Sequence, residues 1–279
     1  MYTEKSAVLK NDFYSRYGEM SGELYFERIG LPCVLLEGTE RKLAFALGCG
    51  IRAYGRRMGD VLRILDADSD TCRVHFMQNG MGAQILYKAD IADLKNMDML
   101  RSYTIEKLLR RMGILTEMTD NQSDEALCDN YGSRGWCMMK YEGGVRQLPF
   151  PLNDYNVLLI RTQKKGGIIH DKDLTARFRA GENERIGAAA DGLKKCRIDV
   201  LFDMVNESQR AIERLLKPKT HAVYAACIAA ETDGVAAARI SNAGVVCFVK
   251  KENTDSAAHM ISVEYEKQLG FAPGIIVVK

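Results

Sequence analysis

The sequence lacks the features that define several large classes of protein. Its 279 residues include only 5 prolines, and no apolar run approaches the roughly 20 residues of a membrane-spanning helix. Lys and Arg number 39 against 37 Asp and Glu, with the signs interspersed and a net charge of +2. Such a chain has no electrostatic footprint for nucleic acid or for an anionic membrane. We therefore expect a soluble, cytoplasmic protein with neither partner.

Paired cysteines are also missing. Eight cysteines occur singly, at positions 33, 49, 72, 128, 137, 196, 227 and 247, and none belongs to a C-x-x-C pair. This spacing excludes a zinc knuckle and a thioredoxin motif. The four histidines are scattered and lack the spacing of a metal site. The sequence predicts buried, reduced thiols and no metal centre.

Apolar residues make up 47% of the chain, enough for at least one full core. Their periodicity predicts strands at 24–29, 32–36, 43–56, 61–65, 71–77, 136–141, 145–148, 155–161, 235–240, 244–250 and 274–278. It predicts helices at 6–17, 99–112, 123–131, 173–193, 200–216, 220–230 and 256–269. A weakly ordered link is expected between residue 79 and the second of these helices.

The order of these elements predicts an α+β protein. Its last four elements run strand, strand, helix, strand, a pattern typical of helices that cover one face of a mostly antiparallel sheet. We expect two domains. Residues 1–153 form a mostly β/α N-terminal domain, and residues 154–279 form a ferredoxin-like C-terminal domain.

Several segments resemble the galactokinase branch of the GHMP kinases, which include homoserine, mevalonate and phosphomevalonate kinases. Phe202–Gln209 is similar to the family's F-G-x-L-M-x-E-S-H, and Asp233–Cys247 is similar to D-G-V-x-G-A-R-M-T-G-A-G-F-G-G-C. Shorter matches occur at Phe13–Gly18, Leu43–Ile51 and Val263–Pro273. The resemblance implies a two-domain GHMP-kinase-like fold and, by family, a sugar kinase that transfers phosphate from ATP to an alcohol group.

The resemblance also assigns candidate substrate residues. The family's G-R-V-N-L-I-G-E-H-T-D aligns with residues 30–40, which places Glu37 and Glu40 at sugar-binding positions. Asn183 belongs to a segment similar to the family's Y-N-x-R, although Glu182 replaces its tyrosine. A plain surface hairpin between two strands is the alternative for the acidic segment.

The family's means of holding ATP are altered or missing. Leu31 replaces the arginine placed against the transferring phosphate, and leucine supplies neither charge nor donors. The glycine- and serine-rich P-x-G-x-G-L-S-S-S-A-A loop is absent, which leaves the N-terminal domain shortened. The third motif has lost three of its four glycines and predicts a buried strand. Ser241 and Gly244 are its remaining nucleotide-binding candidates.

Asp129 is the catalytic candidate. It takes the place of the aspartate in the family's C-G-I-M-D-Q, which accepts a proton from the attacking hydroxyl. The Asp-Asn-Tyr-Gly sequence is also typical of a helix end and a turn. An idle carboxylate therefore remains an open alternative.

We expect a degenerate GHMP-family protein that does not phosphorylate and instead senses or regulates through a bound sugar. The alternative is an active kinase of galactose or a related sugar, with Asp129 as base and ATP and Mg as cofactors. In a third hypothesis a protein partner binds the degraded cleft, which Leu31, Val245 and Val246 would line. Residues 77–122 match no family segment, and their path bears on whether a nucleotide cleft remains.

Overall fold

The computed structural model describes residues 2–18, 23–58, 66–67, 71–78, 81–90, 97–117, 122–133, 135–162, 172–216 and 220–278. The chain divides into two compact units, each assembled from two stretches. Unit 1 contains residues 1–31 and 48–127, and unit 2 contains residues 32–47 and 128–279. A compact unit need not fold alone, so the domain division at residues 153 and 154 stays a prediction.

Helices and strands are mixed along the chain, which confirms the α+β class. The helices are α1 (Tyr2–Tyr17), α2 (Met97–Arg111), α3 (Asp124–Tyr131), α4 (Lys172–Lys194), α5 (Ile198–Ala211), α6 (His221–Glu231) and α7 (Thr254–Leu269). The strands are β1 (Leu24–Glu37), β2 (Lys42–Met58), β3 (Asp66–Ala67), β4 (Thr71–Gln78), β5 (Met81–Ala89), β6 (Trp136–Tyr141), β7 (Gly144–Pro149), β8 (Tyr155–Arg161), β9 (Val235–Ile240), β10 (Val245–Lys250) and β11 (Gly274–Val278). None of the helices in the described ranges has the length and apolar content that crossing a membrane requires.

Unit 1 has an antiparallel sheet with a helix on each face. Its strands follow the order β3-β4-β5-β2, and β1 also pairs with β2. The first residues of β2, which belong to unit 2, pair with β6, and β6 pairs with β7. Leu9 and Phe13 of α1 pack on Tyr54 of β2. The next residue, Gly55, faces the other way, and a Cβ atom there would lie 2.7 Å from Leu108 of α2. Thus α1 and α2 cover opposite faces of β2.

The expected weakly ordered link is wrong over Met81–Ala89, which forms β5. Ile85 and Leu86 are both fully buried although they are neighbours in the strand. A strand covered on both faces has no apolar-polar alternation, which is why the pattern was missed. β1 also continues through Gly30 and joins the two separate strands predicted at 24–29 and 32–36. The predicted strand at 61–65 lies outside the described residues.

Unit 2 has a four-stranded antiparallel sheet in the order β11-β8-β10-β9. On one face, Ala225 of α6 and Ile261 of α7 pack in a cluster with Cys247 of β10. On the opposite face, Phe248 lies against Phe202 of α5, with ring centroids 5.1 Å apart. These elements confirm the predicted strand, strand, helix, strand order at the end of the chain.

Helix α5 also covers one edge of that sheet. Asn206 Nδ2 donates to the carbonyl of Ala236 at 3.0 Å, and Asn206 Oδ1 accepts from the N–H of Ala238 at 3.2 Å. Three residues further on, Gln209 Oε1 accepts from the N–H of Ile240 at 3.0 Å. Side-chain amides therefore satisfy backbone groups that an edge strand would otherwise leave unpaired.

The cysteines whose burial the structure describes follow the prediction with two exceptions. The buried thiols of the described chain are those of Cys33, Cys49, Cys128, Cys137 and Cys247. Cys227 is only half-buried and Cys196 is exposed, contrary to the expectation of burial. Cys196 lies between α4 and α5 with a φ of 56°, because the chain turns sharply there.

Candidate functional site

The turn between β1 and β2 carries the two acidic candidates, Glu37 and Glu40. The N–H of Gly38 donates to the carbonyl of Arg41 at 2.8 Å and closes the turn. The Glu37 side chain is 42% exposed, with Oε1 3.3 Å from Lys42 Nζ. Glu40 is exposed. The turn, called the acidic turn below, therefore presents two carboxylates at the surface.

Asn183 of α4 holds the acidic turn. Its Nδ2 donates to Thr39 Oγ1 at 2.6 Å, and its Oδ1 accepts from the N–H of Glu40 at 3.2 Å. The structure thus brings together the three residues predicted to bind substrate. Because both ends of the amide bond the turn itself, Asn183 acts on the geometry of the two carboxylates.

Glu182, the neighbour of Asn183, belongs to a buried charged network. Its carboxylate accepts from Arg185 Nη1 at 2.7 Å and from Ser208 Oγ at 3.0 Å. Arg239 of β9 donates from Nε to Ser208 Oγ at 2.7 Å and from Nη2 to Glu182 Oε2 at 3.4 Å. Burial lowers the pKa of Arg239, and the charge of Glu182 opposes that shift.

The sequence alone did not single out this network. One signal was available, because Arg239 is the one charged residue of β9, whose other residues are apolar. A charged side chain in such a strand must find an anion or remain at the surface. Nothing in the local sequence says which of the 37 acidic residues supplies the anion.

The two nucleotide-binding candidates, Ser241 and Gly244, lie in the turn between β9 and β10. Ser241 Oγ donates to the carbonyl of Gly244 at 2.9 Å. The Asn242 amide donates to the carbonyl of Pro32 at 3.1 Å and accepts from the N–H of Val34 at 2.9 Å. The turn is therefore closed on itself and tied to β1, through a residue that the motifs did not mark.

Asp129, the catalytic candidate, is half-buried in the last turn of α3. Gly132 ends the helix, with its N–H bonded to the carbonyl of Cys128 at 2.9 Å and its carbonyl bonded to the N–H of Ala46 at 2.7 Å. A Cβ atom on Gly132 would lie 3.1 Å from the Cα of Phe45. This helix end is therefore fixed closely against β2.

The residues that replace the family's phosphate contacts are buried. Leu31 is 4% exposed, and Val245 and Val246 are 0% exposed. They are not available to line an open groove, as the hypothesis of a protein partner requires. Among the side chains that the structure places, no group of three or more His, Cys, Asp and Glu could hold a metal ion.

Solved structures share this fold over nearly the whole chain. Lactococcus lactis galactokinase complexed with galactose matches with a TM-score of 0.71 and 12% identity, over 98% of this chain and 97% of that chain. L. major mevalonate kinase in complex with R-mevalonate matches with a TM-score of 0.60 and 10% identity, over 93% and 95%. Mevalonate pyrophosphate decarboxylase from Streptococcus pyogenes matches with a TM-score of 0.58 and 10% identity, over 93% and 97%. No family model and no curated protein matches the sequence.

The chain therefore has the fold of the GHMP kinases. Within that class, galactokinase is a full-length structural match, which confirms at the level of the fold the resemblance carried by the motifs. An identity of 12% shows the fold alone, because one fold hosts many functions. Function must be argued from the residues of the site.

Proposed function

We propose that this protein is a non-phosphorylating member of the GHMP fold that binds a sugar or a similar polyol at the acidic turn and acts as a sensor or regulator. The observation that carries the proposal is the closed turn between β9 and β10. The Ser241 hydroxyl bonds Gly244, and the Asn242 amide bonds β1. In the family that this chain resembles, the equivalent glycine-rich motif lies against ATP.

Phosphoryl transfer needs donors or cations at the developing negative charge. At two positions where the family supplies them, this chain has the buried Leu31 and the buried pair Val245 and Val246. Neither of these positions therefore supplies a side-chain donor or cation to a nucleoside triphosphate. Loss of one such contact costs roughly 10²–10³ in rate, and losses within one catalytic unit are not additive.

The acidic turn has the chemistry that a polyol needs. Glu37 and Glu40 are hydrogen-bond acceptors suited to neighbouring hydroxyl groups. Lactococcus lactis galactokinase, which shares the fold, was solved as a complex with galactose. The family motif that residues 30–40 resemble includes sugar contacts, and its match to Glu37 and Glu40 supports the proposal. Asn183 holds the turn in one conformation, which reduces the ordering cost of binding.

Binding and phosphoryl transfer can be measured separately. Galactose and a panel of monosaccharides are titrated while the melting temperature is followed, and ³¹P NMR monitors Mg-ATP with each sugar. We expect a saturable rise in melting temperature with at least one sugar, and no sugar phosphate. A ligand at 100 times its Kd adds about 2.7 kcal/mol to stability, which is readily detected.

Variants locate the binding. Glu40→Gln should weaken binding of the sugar that raises the melting temperature about tenfold, because a hydrogen bond to a charged group contributes about 1.5–3 kcal/mol. Glu142→Gln, in the exposed turn after β6, is the matched control and should bind like wild type. If no sugar raises the melting temperature, the proposal is rejected. Sugar phosphate formed by wild type and lost in Asp129→Asn establishes the kinase alternative, with ATP and Mg as its cofactors.

A further inference from the structure

A pair of lysines lies next to the acidic turn in unit 2. The register of β2 and β6 places Lys42 directly opposite Lys140. Side chains at opposite positions of an antiparallel pair lie on the same face, with Cβ atoms about 4.5–5.5 Å apart. Lys42 is the first residue of β2, immediately after the acidic turn. Lys140 is therefore one strand away from the turn that carries Glu37 and Glu40.

The two lysines differ in their electrostatic partners. Lys42 Nζ lies 3.3 Å from Glu37 Oε1. Lys140 is half-buried, and it makes no hydrogen bond or ion pair with any of the residues that the structure describes. Like charges directly opposite each other destabilise a strand pair. A negative charge beside Lys140 would offset this repulsion, and Glu37 is already engaged by Lys42.

The face that bears Lys140 is also the face on which α3 packs. Met138, two residues before Lys140, shares its face and is fully buried. Gln147 lies opposite Met138 in the register, and its Nε2 donates to the carbonyl of Asn130 at 3.4 Å. Asn130 follows the catalytic candidate Asp129 in α3. Lys140 thus shares a face of the sheet with that helix, and it lies beside the turn of the substrate candidates.

We propose that the ligand of the acidic turn is an acidic sugar, a hexuronate whose carboxylate pairs with Lys140. Glu37 and Glu40 accept hydrogen bonds from its hydroxyl groups. The inference rests on the proposed function, because it names the class of sugar that binds at that same site. A carboxylate carries the single negative charge that one ammonium group matches. A sugar phosphate carries nearly two, and it would bring both close to the carboxylates of the acidic turn.

Matched ligands separate the effect of the charge from that of the sugar. Galactose, galacturonate and galacturonate methyl ester are titrated by isothermal calorimetry at pH 7 and low ionic strength, with glucose and glucuronate as a second pair. We expect a uronate to bind about fivefold more tightly than its parent sugar or the ester, a typical effect of one charge contact near the surface. Added salt should reduce this preference, because it screens a partly exposed pair. Tighter binding of galactose 1-phosphate than of either uronate overturns the assignment of a carboxylate.

Two variants of the β6–β7 hairpin each remove one positive charge. Arg146 lies opposite Met139, so its side chain is on the other face of the hairpin from Lys140. Lys140→Gln should bind the uronate and its parent sugar equally, with the wild-type affinity for the parent sugar. Arg146→Gln should keep the wild-type preference. Lys140→Arg keeps the charge and should keep the preference as well.

The outcomes separate this inference from the proposed function. If a neutral sugar binds and neither uronate binds more tightly than its parent sugar, the acidic-sugar inference is overturned and the sugar site stands. If Lys140→Gln keeps the wild-type preference, or Arg146→Gln loses it to the same extent, Lys140 is not the contact and the inference is overturned as well. If neither a sugar nor a uronate binds, the inference fails together with the proposed function.

Discussion

Asn183 Oδ1 lies 2.1 Å from the point that a Cβ atom on Gly38 would occupy. The amide of Asn183 therefore fills the space of a side chain at residue 38, and from there it bonds Thr39 and the N–H of Glu40. In the family motif that this segment resembles, a histidine stands at that position. Here a helix side chain takes up that volume and supports the turn instead.

Gly38→Ala should lower the free energy of unfolding by about 1–3 kcal/mol, because the new methyl group displaces Asn183 and breaks both of its hydrogen bonds. Urea denaturation followed by circular dichroism measures the loss. Gly274→Ala is the control, since its Cβ atom would meet Arg161 at an ordinary 3.6 Å.

A double variant tests the relationship itself. Once Asn183→Ala has removed the amide, adding Gly38→Ala should cost little more, because the methyl group then has room. Simple addition of the two losses in the double variant would show that the residues act independently.

Elements with a local signature were predictable from the sequence. The helix predicted at 123–131 begins at an N-cap residue, because Ser123 accepts from the N–H of Ala126 at 3.2 Å at the start of α3. The strands predicted at 136–141 and 145–148 pair as the hairpin of β6 and β7, with Glu142 and Gly143 forming the turn. β5 was missed because burial on both faces removes the alternation by which a strand is recognised.

The site was predictable only in part. The family motifs marked Glu37, Glu40 and Asn183, and the structure brings them together. Glu182 and Arg239 are 57 residues apart, and their pairing depends on how α4 and β9 pack. No local pattern encodes such a contact, because the sequence does not distinguish the carboxylate that pairs with Arg239 from the other carboxylates of the chain.

Glu182→Gln should be strongly destabilising, by about 3–5 kcal/mol, because Arg239 and Arg185 would keep their charges and lose their shared anion. Urea midpoints compare this variant with wild type. Asp191→Asn is the control on the same helix. It removes the carboxylate of an exposed pair with Lys194 and should leave the midpoint unchanged. If Glu182→Gln and Asp191→Asn shift the urea midpoint by equally small amounts, solvent reaches Arg239.

Gly244→Ala tests whether the β9–β10 turn is retained for the strand pairing. Gly244 has a φ of +139°, and a Cβ atom there would lie 2.8 Å from the carbonyl oxygen of Ile160. Gly144 has a φ of +134° with nothing within 4 Å of its Cβ position, so Gly144→Ala reports the backbone strain alone. That strain costs about 1–3 kcal/mol, and Gly244→Ala should cost clearly more because of the added clash.

Thermal denaturation of both glycine variants measures the difference. If Gly244→Ala melts at the same temperature as Gly144→Ala, the close approach to Ile160 does not constrain the turn. In that case, access for a ligand becomes the better explanation for glycine at residue 244.

The buried thiols should make the protein less stable at high pH. Burial raises the pKa of Cys49 and of Cys137 from 9.0 to about 12. Below pH 9 both thiols are protonated in the folded and the unfolded chain, so the stability that they contribute to folding is fully present. Between pH 9 and 12 the unfolded chain releases these protons and the folded chain keeps them. The free energy of unfolding then falls by about 1.4 kcal/mol per pH unit for each thiol.

Cys137→Ala isolates this effect from the other groups that titrate at high pH. The cavity left by the missing sulfur lowers stability at every pH, so the informative quantity is the slope against pH. Urea unfolding between pH 9 and 10.5 gives the free energy of unfolding as a function of pH. For Cys137→Ala this free energy should fall less steeply than for wild type, by about 1.4 kcal/mol per pH unit, which is the effect of one thiol. Cys196→Ala, at an exposed position, is the control and should keep the wild-type slope. Parallel plots of unfolding free energy against pH for wild type and Cys137→Ala would mean that the Cys137 thiol ionises as readily in the folded protein as in the unfolded chain. That result is incompatible with the burial of Cys137 in β6, between β2 and β7.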